Sequence, residues 1–417
     1  MSGVSLPVRL DRTRLADLAD ALMVAVAVAL PWSTTALGIL LVFWLLALIP
    51  TLEWPDVRRE LTTAAGGLPV LLFGLGVLGM AWADVSWSAR WDGLDSFWKL
   101  LIIPLLMVQF RRSANGHRVF AGFLAACVLL LIASFLVHLW PSIPKGSIDN
   151  GVIVKSYIVQ SMEFVICVAG LVYLAVDLLR AHRRLAAIIS LVLACAFLLD
   201  IFLIATSRTA LIVLPVLFVI YGFRQFGGKG VLAAVALAVV IAATAWTASP
   251  YLRDRVTGIF TEVEHTEGQN AVTPAGERIV FWTKSLRFIE SSSVIGHGTG
   301  SITEMFRRSA VGQTGVWGVV SSNPHNQTFA VGIQLGLLGI VLLWAMWLAH
   351  LAEFRPPGFV AWVGLVIVLQ NVVGSLFNSF LFDFTEGWLY VIGFGVAAGM
   401  VRRELDTTHA SPADAVR

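Results

Sequence analysis

Charged residues are scarce in this sequence: they fill 13% of its 417 positions, where an average soluble domain has about 25%. With 58% of residues hydrophobic, that scarcity excludes a water-soluble enzyme. Cysteine is almost missing. Cys127, Cys167 and Cys195 are odd in number, lie inside apolar runs and lack metal-ligand spacing, so they read as packing residues and predict neither a disulfide nor zinc. The alternating segments of about ten residues that build an outer-membrane barrel are not found. A net charge of only +3 offers no basic surface for nucleic acid.

What is present is a series of apolar segments, near 18–31, 33–50, 68–83, 95–110, 118–140, 155–178, 185–205, 209–223, 230–248, 326–350, 358–378 and 386–401. Each approaches the roughly 20 residues that a helix needs to cross a bilayer. They predict an all-α polytopic membrane protein with about twelve transmembrane helices, a single transmembrane domain over residues 1–417. The 15 Trp and 25 Phe suit lipid-facing surfaces and interfacial belts. The first segment follows Arg9, Arg12 and Arg14 and resembles a secretory signal, but Pro31-Trp32 leads straight into a second span and no small-residue cleavage site is evident. With the N-terminus inside, seventeen of the 29 basic residues fall in cytoplasmic pieces, among them Arg58, Arg59, Arg111, Arg112, Arg402, Arg403 and Arg417. Only Arg90, Lys145, Lys155 and Arg208 fall in the short outward loops. The positive-inside rule therefore predicts cytoplasmic N- and C-termini. The residues from Glu404 onward read as a frayed tail.

In this topology the segment 249–325, between spans nine and ten, is a long outward loop, and loops of this length are functional or disordered. Glu262 to Gln269 is acidic and reads as mobile, whereas Ile279, Trp282, Leu286 and Ile289 recur at helical spacing and predict an amphipathic surface helix near 278–290. Gly296, Gly298 and Gly300 alternate, which lets a backbone turn tightly or approach a ligand closely. Pro324 predicts a helix boundary, with His325 and Asn326 on the first turn of span ten. A histidine there can be kept neutral by the positive end of the helix and so serve as a base.

Arg208, in the short connection after span seven, and Arg278, opening the surface helix after Glu277, carry planar forks of donors suited to phosphate oxygens. Interfacial snorkelling for Arg208, and a contact with Trp282 or Glu277 for Arg278, are the structural readings of the same residues. Ionisable groups at membrane depth mark functional or paired interior sites, and Lys99, Glu163 and Asp200 all fall in the outer half of their spans. They predict one paired polar cluster beneath an outward cavity, with Arg208 above it. No Asp-x-Asp or Glu-x-Asp pair is found on the outer face, and no metal or cofactor is expected.

Taken together, the late outward loop, Ser207-Arg208-Thr209, the Gly296-x-Gly298-x-Gly300 stretch and His325-Asn326 opening the next span resemble the O-antigen ligase family. The motifs span roughly residues 200–400, and Thr328 and Phe329 stand where a Leu is common in that family. The resemblance implies a GT-C-like, metal-independent, inverting glycosyltransferase in the inner membrane of a Gram-negative bacterium, with its active site periplasmic. It would move O-antigen polysaccharide from undecaprenyl pyrophosphate to the outer core sugar of lipid A-core. His325 would be the general base, Arg208 and Arg278 would bind the donor pyrophosphate, and Lys99, Glu163, Asp200, Asn326 and Glu277 would support them. Asp383 and Glu386 are further outward candidates for sugar hydroxyls or for orienting His325. An O-antigen polymerase or a protein O-oligosaccharyltransferase would use the same donor. A lipid-linked glycan transporter would need polar positions through the full membrane depth, and no matching pair of broken spans suggests one.

Overall fold

The computed structural model describes residues 11–140, 152–248 and 250–409; Arg9, Lys145 and Arg417 of the topology argument lie outside them. Among the described residues all regular structure is helical. The chain forms α1 (Arg12–Ala29), α2 (Thr34–Leu48), α3 (Trp54–Leu61), α4 (Ala64–Gly79), α5 (Trp87–Asp95), α6 (Ile102–Arg112), α7 (Gly116–Leu139) and α8 (Tyr157–Arg180). It continues through α9 (Arg184–Leu203), α10 (Arg208–Ala248), α11 (Pro250–Gln269), α12 (Pro274–Ser291), α13 (Ile302–Ala310), α14 (Gln327–Glu353), α15 (Phe359–Gly374) and α16 (Phe384–His409). Short polar side chains start several of them: Asp11, Ser33, Thr63, Ser86, Ser156 and Thr273 each accept a backbone N–H of the first turn.

Seven helices are long and apolar enough to cross a membrane, or nine if α3–α4 and α5–α6, each bent, count as one span apiece. The difference from twelve has physical sources. Helix α1 carries Arg12, Arg14, Asp17 and Asp20 and is too polar to qualify, and α15 has only 16 residues. Helix α10 holds two of the expected spans, 209–223 and 230–248, in one element. It breaks at Gly227, where φ is +61°, and its arms fold back until Gly222 and Gly230 touch, so that Leu211 and Trp246 line one cavity. Helix α16 is central, 94% of its apolar window buried within the protein, against 6% for α10, whose apolar side chains face outward. It runs on through Glu404 to His409, so the start of the expected tail is helical.

At one end of the helix bundle, basic residues pair with a buried carboxylate. The fully buried Glu60 accepts from Arg111 Nη1 at 2.8 Å and from Arg402, which also donates to Glu353 at 2.9 Å, tying α3, α6, α14 and α16 together. Such a buried network holds only because each charge is paired.

The outward half depends on a second break. Helix α14 leaves helical geometry at Gly336, at φ +60° and ψ −155°, which frees backbone groups on both sides. The segment 293–298 takes them up: His297 and Gly298 donate to the carbonyls of Ile333 and Gln334, both at 2.8 Å, and the N–H groups of Leu337 and Leu338 donate to Ser293 and Val294 at 2.8 and 3.2 Å. An unpaired backbone group at membrane depth costs several kcal/mol, so this stitching is what permits the break. The alternating glycines are explained by it. Gly296, Gly298 and Gly300 all have φ between +68° and +89°, and their close approaches are to Gln334, Ala83 and Ala89 of this chain rather than to a ligand. Thr299 completes the joint by donating to Gly79 O at 3.1 Å through its N–H and to Gly76 O at 2.6 Å through its hydroxyl.

Gly336→Ala places a methyl group about 2.4 Å from Val294 O on left-handed backbone, and strain of this kind costs about 1–3 kcal/mol. A lowered Tm in detergent is expected, while Gly38→Ala, with nothing within 4 Å of the new methyl, should leave it unchanged or raised.

Candidate active site

The expected mobile acidic stretch is helical: Glu262 to Gln269 closes α11. The surface helix is α12, starting at Pro274, four residues before the expected start. Its Phe281 and Phe288 pack inward on Phe306, Ala330 and Ile333, and Lys284 and Ser285 are buried with them, while Ile279 and Leu286 of the expected apolar stripe are exposed, so the helix is apolar on more than one side. Helices α10, α11 and α12 enclose a cavity of about 330 Å³ lined by Arg208, Glu262, Arg278, Thr206, Tyr157 and Trp282, among others. Both expected arginines therefore line one cavity. Among the described residues Arg278 Nε is buried with no hydrogen-bond partner, and so is Thr206 Oγ1, of the same cavity lining. Burial, and then the charge of Arg208, lowers the Arg278 pKa from its ordinary value.

Arg208 is not a snorkelling residue. Its guanidinium holds Glu262 by two hydrogen bonds, at 2.7 and 3.3 Å, and Glu262 Oε2 also accepts Ala275 N at 2.9 Å. Burial raises the Glu262 carboxyl, but the Arg208 hydrogen bonds outweigh it and hold the group below the usual carboxylate range. The fork expected to meet phosphate oxygens thus meets a carboxylate of the protein's own, a partner 54 residues away in sequence.

His325 stands outside the helix rather than on its first turn. Helix α14 begins at Gln327, Asn326 is its cap, and His325 precedes it on left-handed backbone at φ +54°. Non-glycine residues adopt that conformation only when their surroundings hold them there. Here Asn323 Oδ1 accepts His325 N at 2.8 Å, Trp282 Nε1 donates to His325 O at 3.3 Å, and the imidazole stacks on Phe281 at 6.1 Å between ring centres. Its Nδ1 meets Asn378 Oδ1 at 2.9 Å. Asn378 Nδ2 donates to Asp383 Oδ2 at 2.8 Å, and Asn323 Nδ2 donates to Asn378 Oδ1 at 3.1 Å, so Asn378 turns its oxygen to the ring. An amide oxygen only accepts; the imidazole proton therefore sits on Nδ1 and Nε2 keeps its lone pair. Burial first, and Arg278 after it, pushes the His325 pKa down against the opposing Asn378 hydrogen bond. Partial burial and a neighbouring cation favour the neutral imidazole, where the sequence pointed to the helix dipole.

The remaining expected residues do not form one cluster. Asp200 accepts from Ser134 Oγ at 2.5 Å and Gln160 Nε2 at 3.0 Å, a knot joining α7, α8 and α9. Both Glu163 oxygens are buried with no hydrogen-bond partner among the described residues. Lys99 donates to the carbonyls of Phe382 and Asp383, at 3.2 and 3.0 Å, and so clamps the loop that carries Asn378. Spacing could place all three at one depth but could not say which way each side chain turns. Asn326 accepts Phe329 N and donates to Leu376 O, both at 3.1 Å, roles that hold the helix start. Glu277 lies in the first turn of α12, near enough to act electrostatically on His325 and Arg278. The residues sequence reasoning missed are Glu262, Asn323, Asn378 and Ser379, whose hydroxyl donates to Asn323 Oδ1 at 2.7 Å. Asn and Asp between apolar runs otherwise read as turn formers.

Because burial disfavours the imidazolium, His325 should titrate below the ordinary histidine value of about 6.5 and be neutral at pH 7. NMR of the ring carbons, assigned by comparison with His325→Gln, checks this. Asn378→Ala removes the one hydrogen bond that favours protonation and is expected to lower the midpoint further; an upward shift would remove Asn378 as the Nδ1 partner.

No curated protein matches the chain. The stretch from residue 193 to 344, which carries Arg208, Glu262, Arg278 and His325, matches the family model described as O-antigen ligase, and in this region the chain is similar to that family.

Proposed function

We propose that the protein is an O-antigen ligase, moving preassembled O-antigen polysaccharide from undecaprenyl pyrophosphate to the outer core sugar of lipid A-core at the periplasmic face of the inner membrane. One observation carries the reading: two arginines line a single cavity, and Trp282 in the wall of that cavity holds a half-buried histidine whose Nε2 retains its lone pair. In the same reading the termini are cytoplasmic, the chain crosses the membrane twelve times in a GT-C-like arrangement, and residues 249–325 form the periplasmic segment.

The donor pyrophosphate binds between Arg208 and Arg278, its polyprenyl tail lying along apolar helix faces such as that of Ile212. His325 Nε2 takes the proton of the acceptor hydroxyl as that oxygen bonds to the anomeric carbon. The bond from that carbon to pyrophosphate breaks, and undecaprenyl pyrophosphate leaves with its charge held by the two guanidinium groups. Attack from the face opposite the leaving group inverts the anomeric centre. Two fixed cations supply the charge stabilisation that other transferases obtain from a divalent ion. Asn378 and Asp383 keep the imidazole in the tautomer this step needs, and Lys99 holds the loop that bears them. Glu262 occupies the Arg208 fork in place of a phosphate, so the donor enters by displacing a carboxylate, and like charges keep the two from sharing the fork.

Reconstitution in chelator with lipid-linked glycan and lipid A-core should give a ladder of extended acceptor from the wild type and none from His325→Ala, with donor binding retained. Longer glycan on the donor lipid would instead identify a polymerase, and a strict need for magnesium would contradict the metal-free chemistry. Arg278→Lys should lose activity despite keeping its charge, because one ammonium cannot reproduce a planar fork. Glu262→Gln should lower the donor KM several-fold, in the range of about 1 kcal/mol for a partly exposed ion pair; a raised KM would make the carboxylate a structural cap of α12.

A further inference from the structure

Two cavities that share no lining residue are each lined by neighbours of His325, which itself lines neither. Trp282, whose indole holds the His325 carbonyl, lines the arginine cavity; Asn323 and Pro324, the residues just before His325, line the other. This second cavity has a volume of about 710 Å³, lies between α5, the start of α13 and the loop 379–383, and is of a size that holds a small organic ligand. We infer that it is the acceptor subsite and binds the terminal sugars of a membrane-anchored oligosaccharide, offering one hydroxyl to His325. The inference rests on the glycosyl-transfer reading above and locates the second substrate of that reaction.

The lining chemistry separates the two cavities. The first presents two arginines; the second has no Lys or Arg among its lining residues and presents Ser86, Ser96 and Ser379 with the carboxylates of Asp92, Asp383 and Glu304, the last paired with Arg307 and Arg308. A wall of hydroxyls and carboxylates repels phosphate and supplies acceptors for the many O–H donors of a neutral sugar. Membrane depth points the same way. Helix α5 turns Ser86, Ala89, Asp92 and Ser96 to the cavity, while Trp87 and Trp91 are 64% and 61% exposed. Exposed tryptophans on an outward helix mark the headgroup level, where the sugars nearest a lipid anchor lie.

The wall is fixed before any ligand arrives. A Cβ on Gly93 would lie 2.4 Å from Gly300 N, so α5 is seated directly on the glycine segment, and Gly300 N is itself held by Gln334 Oε1 at 2.8 Å. Asp383 belongs to both systems: it lines this cavity and accepts from Asn378, the partner of the His325 ring. A sugar hydroxyl bonded to Asp383 would therefore contact the same carboxylate that orients the base.

Asp92→Ala, at an exposed position, removes one carboxylate acceptor, and Ser96→Phe fills the cavity. Full-length protein in detergent is assayed with lipid A-core and, separately, with lipid-linked glycan as acceptor. The acceptor KM should rise about tenfold in Asp92→Ala, the value of one hydrogen bond to a charged group, with donor KM unchanged; Ser96→Phe should be affected more. The acceptor that shows the rise tells a lipid A-core subsite from one for another lipid-anchored glycan. Saturation-transfer NMR with core oligosaccharide freed of its lipid gives a readout without turnover: signal from the wild type and its loss in Asp92→Ala are expected. Unchanged acceptor KM and unchanged saturation transfer in both variants overturn the subsite while leaving the function standing. A shift of donor KM equal to that of acceptor KM would also overturn it. A wild type that binds the oligosaccharide through Asp92 but transfers no glycan would remove the proposed reaction and keep the sugar site.

Discussion

The hydrogen bonds that close the break in α14 are the constraint on which the outward half of the molecule rests. A helix at membrane depth cannot open its ladder unless something else satisfies the freed groups, and here residues 293–298 do so strand-fashion on both sides of Gly336. The consequences spread from that joint. It binds the end of α12 to α14, and Thr299 extends it to α4. Because α12 carries Arg278 and Trp282, and α14 starts two residues after His325, the same joint fixes the distance from one to the other. Glycine is required at the joint because its positive φ values and backbone approaches leave no room for a side chain.

Around this frame the electrostatics are divided in space. The arginine pair and Glu262 lie on one flank of His325, and Asn323, Asn378 and Asp383 on the other. Partial burial favours the neutral form of the histidine, and the Asn378 hydrogen bond holds it in one tautomer. Lys99 and Asp383 show how an ionisable pair at the membrane's outer edge can serve as support: the ammonium binds carbonyls of the loop and so settles where Asn378 stands. The Asp200 side chain, by contrast, is absorbed into a knot with Ser134 and Gln160.

Much of this was legible in the chain itself. Apolar run length dictated helices because a backbone in lipid must satisfy its own hydrogen bonds. The amphipathic spacing of Ile279, Trp282, Leu286 and Ile289 gave a surface helix, and fork-shaped Arg208 and Arg278 with His325 were identifiable as chemistry by residue type. Helix count was less legible: α1 carries four charged side chains among its 18 residues and α15 has only 16 residues, so run length and polarity leave both short of a clear span.

Only the tertiary structure could decide which polar groups meet. Glu262 reaches Arg208 across 54 residues, Asn378 reaches His325 across 53, and Lys99 reaches Asp383 across 284. No spacing rule extends so far, because these contacts depend on the direction of side chains on separately packed helices. The sequence determined that the protein lives in a membrane and which residues could act, since both follow from local chemistry. The fold decided their partners, protonation and company, since a buried group takes those properties from whatever is packed against it.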